Sequence, residues 1–280
     1  MTTTTVRQLL QDAQSAGAAV AAFNVITLEH AEGVIAGAEA TGRGVILQVS
    51  ENVVRYRRGA LLPLSAALRS MAEGSNVPVG LHLDHVEDAA LARRAPDAGY
   101  GSVMFDAGRL PYDENVATTA AVAEMLHRHE VFVEAELGYV GGKDSQVVSA
   151  HEPGVRTDPR QAAEFVAATG VDSLAVAVGS SHAMVERNAD LDIDLLVRIR
   201  EQVSVPLVLH GSSGVPDAGL TAAVRAGIAK VNIGTALNVA FTAAVREALK
   251  EPGSDPRKAL AAGRDAIAEA TVHLISVVSG

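Results

Sequence analysis

The chain has no cysteine and no tryptophan, and only 3% of its 280 residues are aromatic. Without cysteine it forms no disulfide, offers no thiolate nucleophile and builds no cysteine-ligated zinc site. So few aromatic rings exclude a base-stacking platform for single-stranded nucleic acid. A formal net charge of -10 excludes a broad basic footprint on nucleic acid but not a local phosphate pocket. No uninterrupted apolar stretch is long enough to span a bilayer, so no membrane partner is expected. The start, MTTTTVRQLL, lacks the basic and apolar regions of a signal peptide, so a cytoplasmic location is expected. Lysine is scarce as well, confined to Lys143, Lys230, Lys250 and Lys258. Nor is there a low-complexity linker or charge run to mark a domain boundary.

What is present is alternation. Short apolar runs read as strands at Ala21–Ile26, Gly44–Ser50, Val77–Asp84, Ser102–Ala107, Val131–Gly138, Ser173–Gly179, Pro206–Gly211 and Lys230–Thr235. Alanine-rich amphipathic segments lie between them, for example 31–41, 61–73, 115–129, 159–169 and 191–202. Glycines 42, 99, 170 and 227 follow several helical stretches, at the position where a left-handed residue ends a helix. Eight strand–helix units in this length predict an α/β fold, a single (β/α)8 TIM barrel over residues 1–280. The alternative, a doubly wound open sheet, lacks the GxGxxG expected after its first strand. Two additions are expected: an extended polar βα loop after the fifth strand (141–158), suited to a lid, and a C-terminal helical tail beyond Leu249.

The segment LHLDH (Leu81–His85) ends an apolar run abruptly with an acid and an imidazole. Polar residues commonly end strands, so Asp84 and His85 mean little alone. His182 and His210, however, also fall at or just past the C-terminal ends of strands, the sixth and seventh. In a barrel those ends converge on one mouth. Three neutral imidazoles there make a Zn²⁺ site with an open position. His82 shares strand parity with Asp84 and is expected to support the site from within the barrel. His30, His127, His129 and His273 fall in helical stretches and read as structural or exposed.

Carboxylates gather at the same mouth: Asp84, Asp106 and, with one facing, Glu134 and Glu136. Buried strands rarely carry two inward glutamates unless these are paired or bind metal; facing the helix layer is the alternative. HGSSG (His210–Gly214) and NIGT (Asn232–Thr235) follow the last two strands. There small residues and helix N-termini hold phosphate in this fold. A metal, a phosphate site and a proton-transfer carboxylate together point to retro-aldol cleavage. An imine route needs a lysine in the mouth. Lys230 opens the last strand at the wrong end, and only Lys143, in the long loop, could reach. A metal-dependent hydrolase on this barrel would want an HxH pair on the first strand, absent from AAFNVI. A non-catalytic assembly subunit would be expected to have lost its metal ligands.

The motifs AFNV, SEN, HLDH, VEAELG followed by GG, DSLAVAVG, LVLHGSSG and VNIGT occur in order from about Phe23 to the C-terminus. In this the chain resembles the class II, zinc-dependent ketose-bisphosphate aldolases of fructose and tagatose type. The resemblance implies cleavage of a ketose 1,6-bisphosphate to dihydroxyacetone phosphate and glyceraldehyde 3-phosphate. It implies Asp84 as acid/base and His85, His182 and His210 as zinc ligands, with Asp106 and Glu136 at a second or alternate metal position. Gly211, Ser213, Asn232 and Thr235 would hold dihydroxyacetone phosphate beside a monovalent cation (Na⁺ or K⁺). Asn24 and Ser50 would line the substrate. Arg257 would bind the far phosphate, commonly across a subunit boundary, which implies a homodimer or homotetramer. Three positions depart from the family pattern. The loop acid is Asp144 where glutamate is usual, Ala183 stands where glycine is usual, and Gly234 is small, as in tagatose-type members.

Overall fold

In the computed structural model, which describes residues 5–138, 140 and 156–279, eight strands form the centre. They are β1 (Val20–Asn24), β2 (Val45–Ser50), β3 (Val79–Val86), β4 (Ser102–Phe105), β5 (Phe132–Leu137), β6 (Ser173–Val176), β7 (Leu207–Leu209) and β8 (Ile228–Ile233). All neighbours pair in parallel, in sequence order, and β8 returns to β1 to close a (β/α)8 TIM barrel. Helices α1 (Val6–Ser15), α2 (Leu28–Thr41), α3 (Glu51–Tyr56), α4 (Leu62–Gly74), α5 (Ala89–Arg93), α6 (Tyr112–His127), α7 (Pro159–Thr169), α8 (Ile193–Gln202), α9 (Asp217–Arg225), α10 (Thr235–Ala248) and α11 (Arg257–Val278) surround it. Among the described residues no helix is long and apolar enough to cross a membrane.

Both faces of each strand are covered, which is why the strands read as continuous apolar runs. Outward side chains such as Leu47, Leu81, Leu83, Val103 and Val133 belong to the large core under the helices. Inward side chains stack in layers. The bottom of the barrel is apolar: Val20, Ala22, Ile46, Phe132 and Ala229 meet Val6, Leu9 and Leu10 of α1, which plugs that end. Sequence periodicity did not single out α1. Above the plug the interior turns polar and leads to the mouth.

Helix boundaries follow local chemistry. At α7, Asp158 caps the N-terminus by accepting from the backbone of Arg160 and Gln161 (3.0 and 2.9 Å), Pro159 opens the first turn, and left-handed Gly170 closes the helix. The short helices α3 and α5 were not anticipated, and His129 lies in a turn beyond α6 rather than in a helix. The last strand begins at Ile228, two residues earlier than expected. That shift moves Lys230 off the barrel rim and into its interior. Of the long loop after β5, 141–155 lie outside the described residues, and Lys143, Asp144 and His151 lie with them.

The C-terminal tail is α11, packed against α2 and α10. Gly33 and Gly37, one turn apart on α2, allow the approach. A Cβ at position 33 would lie 2.5 Å from the Arg264 carbonyl oxygen, and one at position 37 would lie 2.7 Å from Thr271 Cβ. Gly33→Ala and Gly37→Ala are each expected to cost about 1–3 kcal/mol of overpacking, exceeding the gain of at most about 1 kcal/mol in helix propensity. Gly74, at the end of α4 with nothing within 4 Å, is the control. In urea unfolding the first two variants should shift to lower midpoints and Gly74→Ala should not.

Candidate active site

A cavity of about 270 Å³ opens at the C-terminal ends of the strands. Asn24, Ser50, Asp84, His85, His182, His210, Gly211, Ser213, Asn232 and Thr235 all line it. Arg257 does not: it is 88% exposed at the start of α11, paired with Asp255. Asp144 is outside the described residues. The cavity wall also includes Asn52, the end of the SEN motif, Ala183, where the family usually has glycine, and Ile26 and Asn238, neither of which the sequence assigned to the site.

Asp84 and His85 are consecutive, and a regular strand would send them to opposite faces. The chain resolves this with a local distortion. His85 takes a left-handed φ of +47°, and the β3–β4 register shifts between Leu83 and Val86. Both side chains therefore reach the cavity. Such backbone in a non-glycine residue costs of order 1–3 kcal/mol, and it concentrates at functional sites. Glu51 buttresses this end of β3. Buried at the start of α3, its carboxylate accepts from the backbone N–H groups of Glu87 (2.7 Å) and Asp88 (3.1 Å).

His85, His182, His210 and Glu136 each place a donor atom within 4.8 Å of the others. Asp106 stands outside these four and bonds His85 Nδ1 through Oδ2 at 3.0 Å. His210 bonds Glu134 Oε1 through Nε2 at 2.9 Å. A carboxylate only accepts, so each of these ring nitrogens carries the hydrogen. The opposite nitrogens, His85 Nε2 and His210 Nδ1, then carry lone pairs, and they meet at 2.9 Å. Two lone pairs in that position repel unless a proton or a metal ion lies against both, and Asn232 Nδ2 stands beside the same ring, 3.3 Å from Nδ1. Burial lowers the His210 pKa despite its bond to Glu134, which disfavours a proton on that ring. Three imidazoles and a carboxylate, two of the rings bonded from behind by other carboxylates, could hold a divalent transition metal.

A buried polar layer underlies this cluster. Lys230, fully buried, donates to Glu134 Oε2 (2.8 Å) and approaches His82 Nε2 (3.4 Å). His82 Nδ1 meets Ser102 Oγ at 2.7 Å. Burial alone would raise the Glu134 carboxyl, but the Lys230 ammonium and the His210 N–H hold it well below the usual range. Burial and the Lys230 charge push His82 down to about 3, which keeps it neutral. Glu134 thus faces inward, and Lys230 is its counter-charge beneath the mouth.

Asp84 is held from two sides. Its Oδ2 accepts from Asn24 Nδ2 (2.9 Å), and Oδ1 lies 3.4 Å from Asn232 Nδ2. Asn24 Oδ1 accepts in turn from Gln48 Nε2 (2.8 Å), fixing the amide orientation. Asn232 Oδ1 is buried with no hydrogen-bond partner among the described residues, an acceptor on the cavity wall. On the other wall, Ser213 Oγ accepts from Ala236 N at 3.1 Å, tying the loop after β7 to the N-terminus of α10. Left-handed Gly211 (φ +65°) is required where this loop crosses the one carrying His182, since a Cβ there would lie 2.6 Å from the Ser181 backbone. Among the described residues no lysine or arginine lines the cavity. Anions there meet hydroxyls, backbone N–H groups and the positive end of α10.

The profile of the family described as fructose-bisphosphate aldolase class-II matches residues 4–280. A curated fructose-bisphosphate aldolase of Geobacillus stearothermophilus is 40% identical over 276 residues, 97% of this chain and 95% of that protein. The crystal structure of the YdjI aldolase from Escherichia coli K12 superposes with a TM-score of 0.86 at 36% identity, covering 98% of this chain and 96% of that one. A putative fructose-1,6-biphosphate aldolase from Coccidioides immitis superposes with a TM-score of 0.87 at 28% identity, covering 98% and 95%.

Proposed function

Since the chain belongs to the class II fructose-bisphosphate aldolase family, a metal-dependent aldolase family, we propose that it is a zinc enzyme. Its reaction would be the reversible cleavage of a ketose 1,6-bisphosphate of fructose or tagatose type to dihydroxyacetone phosphate and glyceraldehyde 3-phosphate. The observation that carries this is the convergence of His85, His182, His210 and Glu136 donor atoms, with His85 Nε2 and His210 Nδ1 2.9 Å apart and Asp84 beside them on β3.

His85, His182 and His210 would hold the zinc. Glu136, and Asp106 behind His85, are suited to an alternate position. Bound there, the metal supplies Lewis-acid polarisation of the ketose carbonyl and offsets the negative charge that develops as the C–C bond breaks. Asp84 takes the proton from the substrate hydroxyl whose carbon becomes the aldehyde, and returns it in the condensation direction. Asn24 and Asn232 hold its carboxylate still for that transfer. The carbon left with the electron pair needs a proton from another acid, a role we assign to Asp144 on the long loop. Gly211, Ser213 and Thr235 receive the phosphate of the dihydroxyacetone half, and the Asn232 acceptor takes one of its hydroxyls. A monovalent cation, Na⁺ or K⁺, beside that phosphate would supply the positive charge the cavity wall lacks. Asn24 and Ser50 line the substrate. Arg257, exposed on its own chain, is suited to reach the far phosphate in a neighbouring copy, so the smallest complete unit would be a homodimer.

Aldol synthesis tests this directly. Metal-loaded protein with dihydroxyacetone phosphate should add to glyceraldehyde 3-phosphate, and the product configuration assigns fructose or tagatose type. Failure to form a product with any aldehyde of a panel, phosphorylated ones included, would sink the proposal.

A further inference from the structure

The chemistry above does not use His30, yet this histidine is buried directly behind the cavity wall, against Asn238, which lines it. It lies in the first turn of α2, 3% exposed, with its ring 4.9 Å from that of Phe241 on α10. Its Nε2 is 3.3 Å from Asn238 Oδ1, and its Nδ1 is 3.1 Å from Thr27 Oγ1. With the Asn238 oxygen facing Nε2, one proton assignment satisfies both contacts with a neutral ring. The amide oxygen only accepts, so Nε2–H donates to it, and Nδ1 accepts from the Thr27 hydroxyl. Burial lowers the His30 pKa, in keeping with that neutral form.

The consequence falls on Asn238. Its oxygen is turned towards His30, so its NH2 group is left as the free end of the amide, and that group makes no hydrogen bond among the described residues. Asn238 lines the cavity, three residues after Thr235 on the same helix. We infer that Asn238 is a further substrate-binding residue, donating from its NH2 to the phosphate on the carbonyl half of the substrate, and that His30 is its positioning residue. This rests on the phosphate-bearing substrate proposed above. The cavity wall favours it: with no lysine or arginine among its described residues, each neutral donor matters to a dianion. The pair spans 208 positions and ties the first turn of α2 to α10.

The test is binding of inorganic phosphate and of dihydroxyacetone phosphate to metal-loaded protein by calorimetry, with KM and kcat measured alongside. A hydrogen bond to a charged group is worth about 10-fold to 100-fold in affinity. Asn238→Ala should weaken both ligands and raise KM by about that factor, with kcat within about threefold of wild type. Asn238→Asp, nearly isosteric, should weaken them further through charge repulsion. His30→Leu should lose about 3-fold to 10-fold in affinity, and His30→Gln, which can still donate to the amide oxygen, should recover part of it. Unchanged phosphate binding in Asn238→Ala and Asn238→Asp overturns the inference. Equal losses in His30→Leu and His30→Gln overturn the positioning role. A wild-type protein that binds phosphate through Asn238 but cleaves no ketose phosphate would strike the proposed function alone.

Discussion

Asp84→Ala is expected to lower kcat for C–C cleavage by about 10²–10⁴-fold, the usual weight of a positioned general acid/base, or about 3–5 kcal/mol in barrel-bound activation free energy. Metal content should stay at the wild-type level, because Asp84 is not among the four donors that converge. The split is informative: a metal ligand loses ion and rate together, whereas a proton-transfer group loses rate alone. Asp84→Asn keeps the shape but its amide cannot take up the proton, and its NH2 must face Asn24 Nδ2 or Asn232 Nδ2, so it should not rescue activity. Near-normal turnover in Asp84→Ala, measured by coupled detection of triose phosphate, would remove Asp84 from the mechanism.

Metal removal gives the second large effect. Chelation should abolish activity, and Zn²⁺ should restore it. Apparent binding free energies of structural zinc, about 10–16 kcal/mol, spread over the three histidines give about 3–5 kcal/mol each. His210→Ala should therefore weaken zinc by about 10²–10⁴-fold in a competition titration. Glu134→Gln removes the carboxylate behind His210 and should cost about 10–100-fold. It also leaves the buried Lys230 charge uncompensated, so the melting temperature should fall. Borohydride with substrate should trap no adduct, either on Lys230, which is buried beneath the mouth and committed to Glu134, or on Lys143 of the long loop. A retained rate after complete metal removal, or efficient trapping, would favour an imine route.

Much of the site was legible because of how a parallel barrel is made. Strands buried on both faces must be apolar throughout, so a polar residue at a strand end stands out. His85, His182 and His210 were visible for that reason, as were Asp84 and the inward pair Glu134 and Glu136. Lys230 was misplaced because a strand boundary is poorly marked inside an apolar run. Beginning β8 at Ile228 rather than Lys230 changes a rim residue into an interior one. Asn238 and His30 carried no signal at all, since an asparagine and a histidine in amphipathic helices look like ordinary surface or core residues.

By itself the sequence determined the eightfold alternation, the apolar strands of the core, and which positions could bear a metal or a phosphate, because burial and periodicity are written residue by residue. Tertiary structure alone decided which of those groups meet. Period-two geometry would have separated Asp84 from His85, and only the left-handed turn at His85 brings both to one cavity. Closure of β8 onto β1 sets Asn232 beside Asp84, 148 positions away. The proton positions on His85 and His210, and so the direction in which their lone pairs point, depend on Asp106 and Glu134 from other strands. Hydrogen bonds between distant segments exist only once loop closure and packing have made the segments neighbours, so no local pattern can encode them.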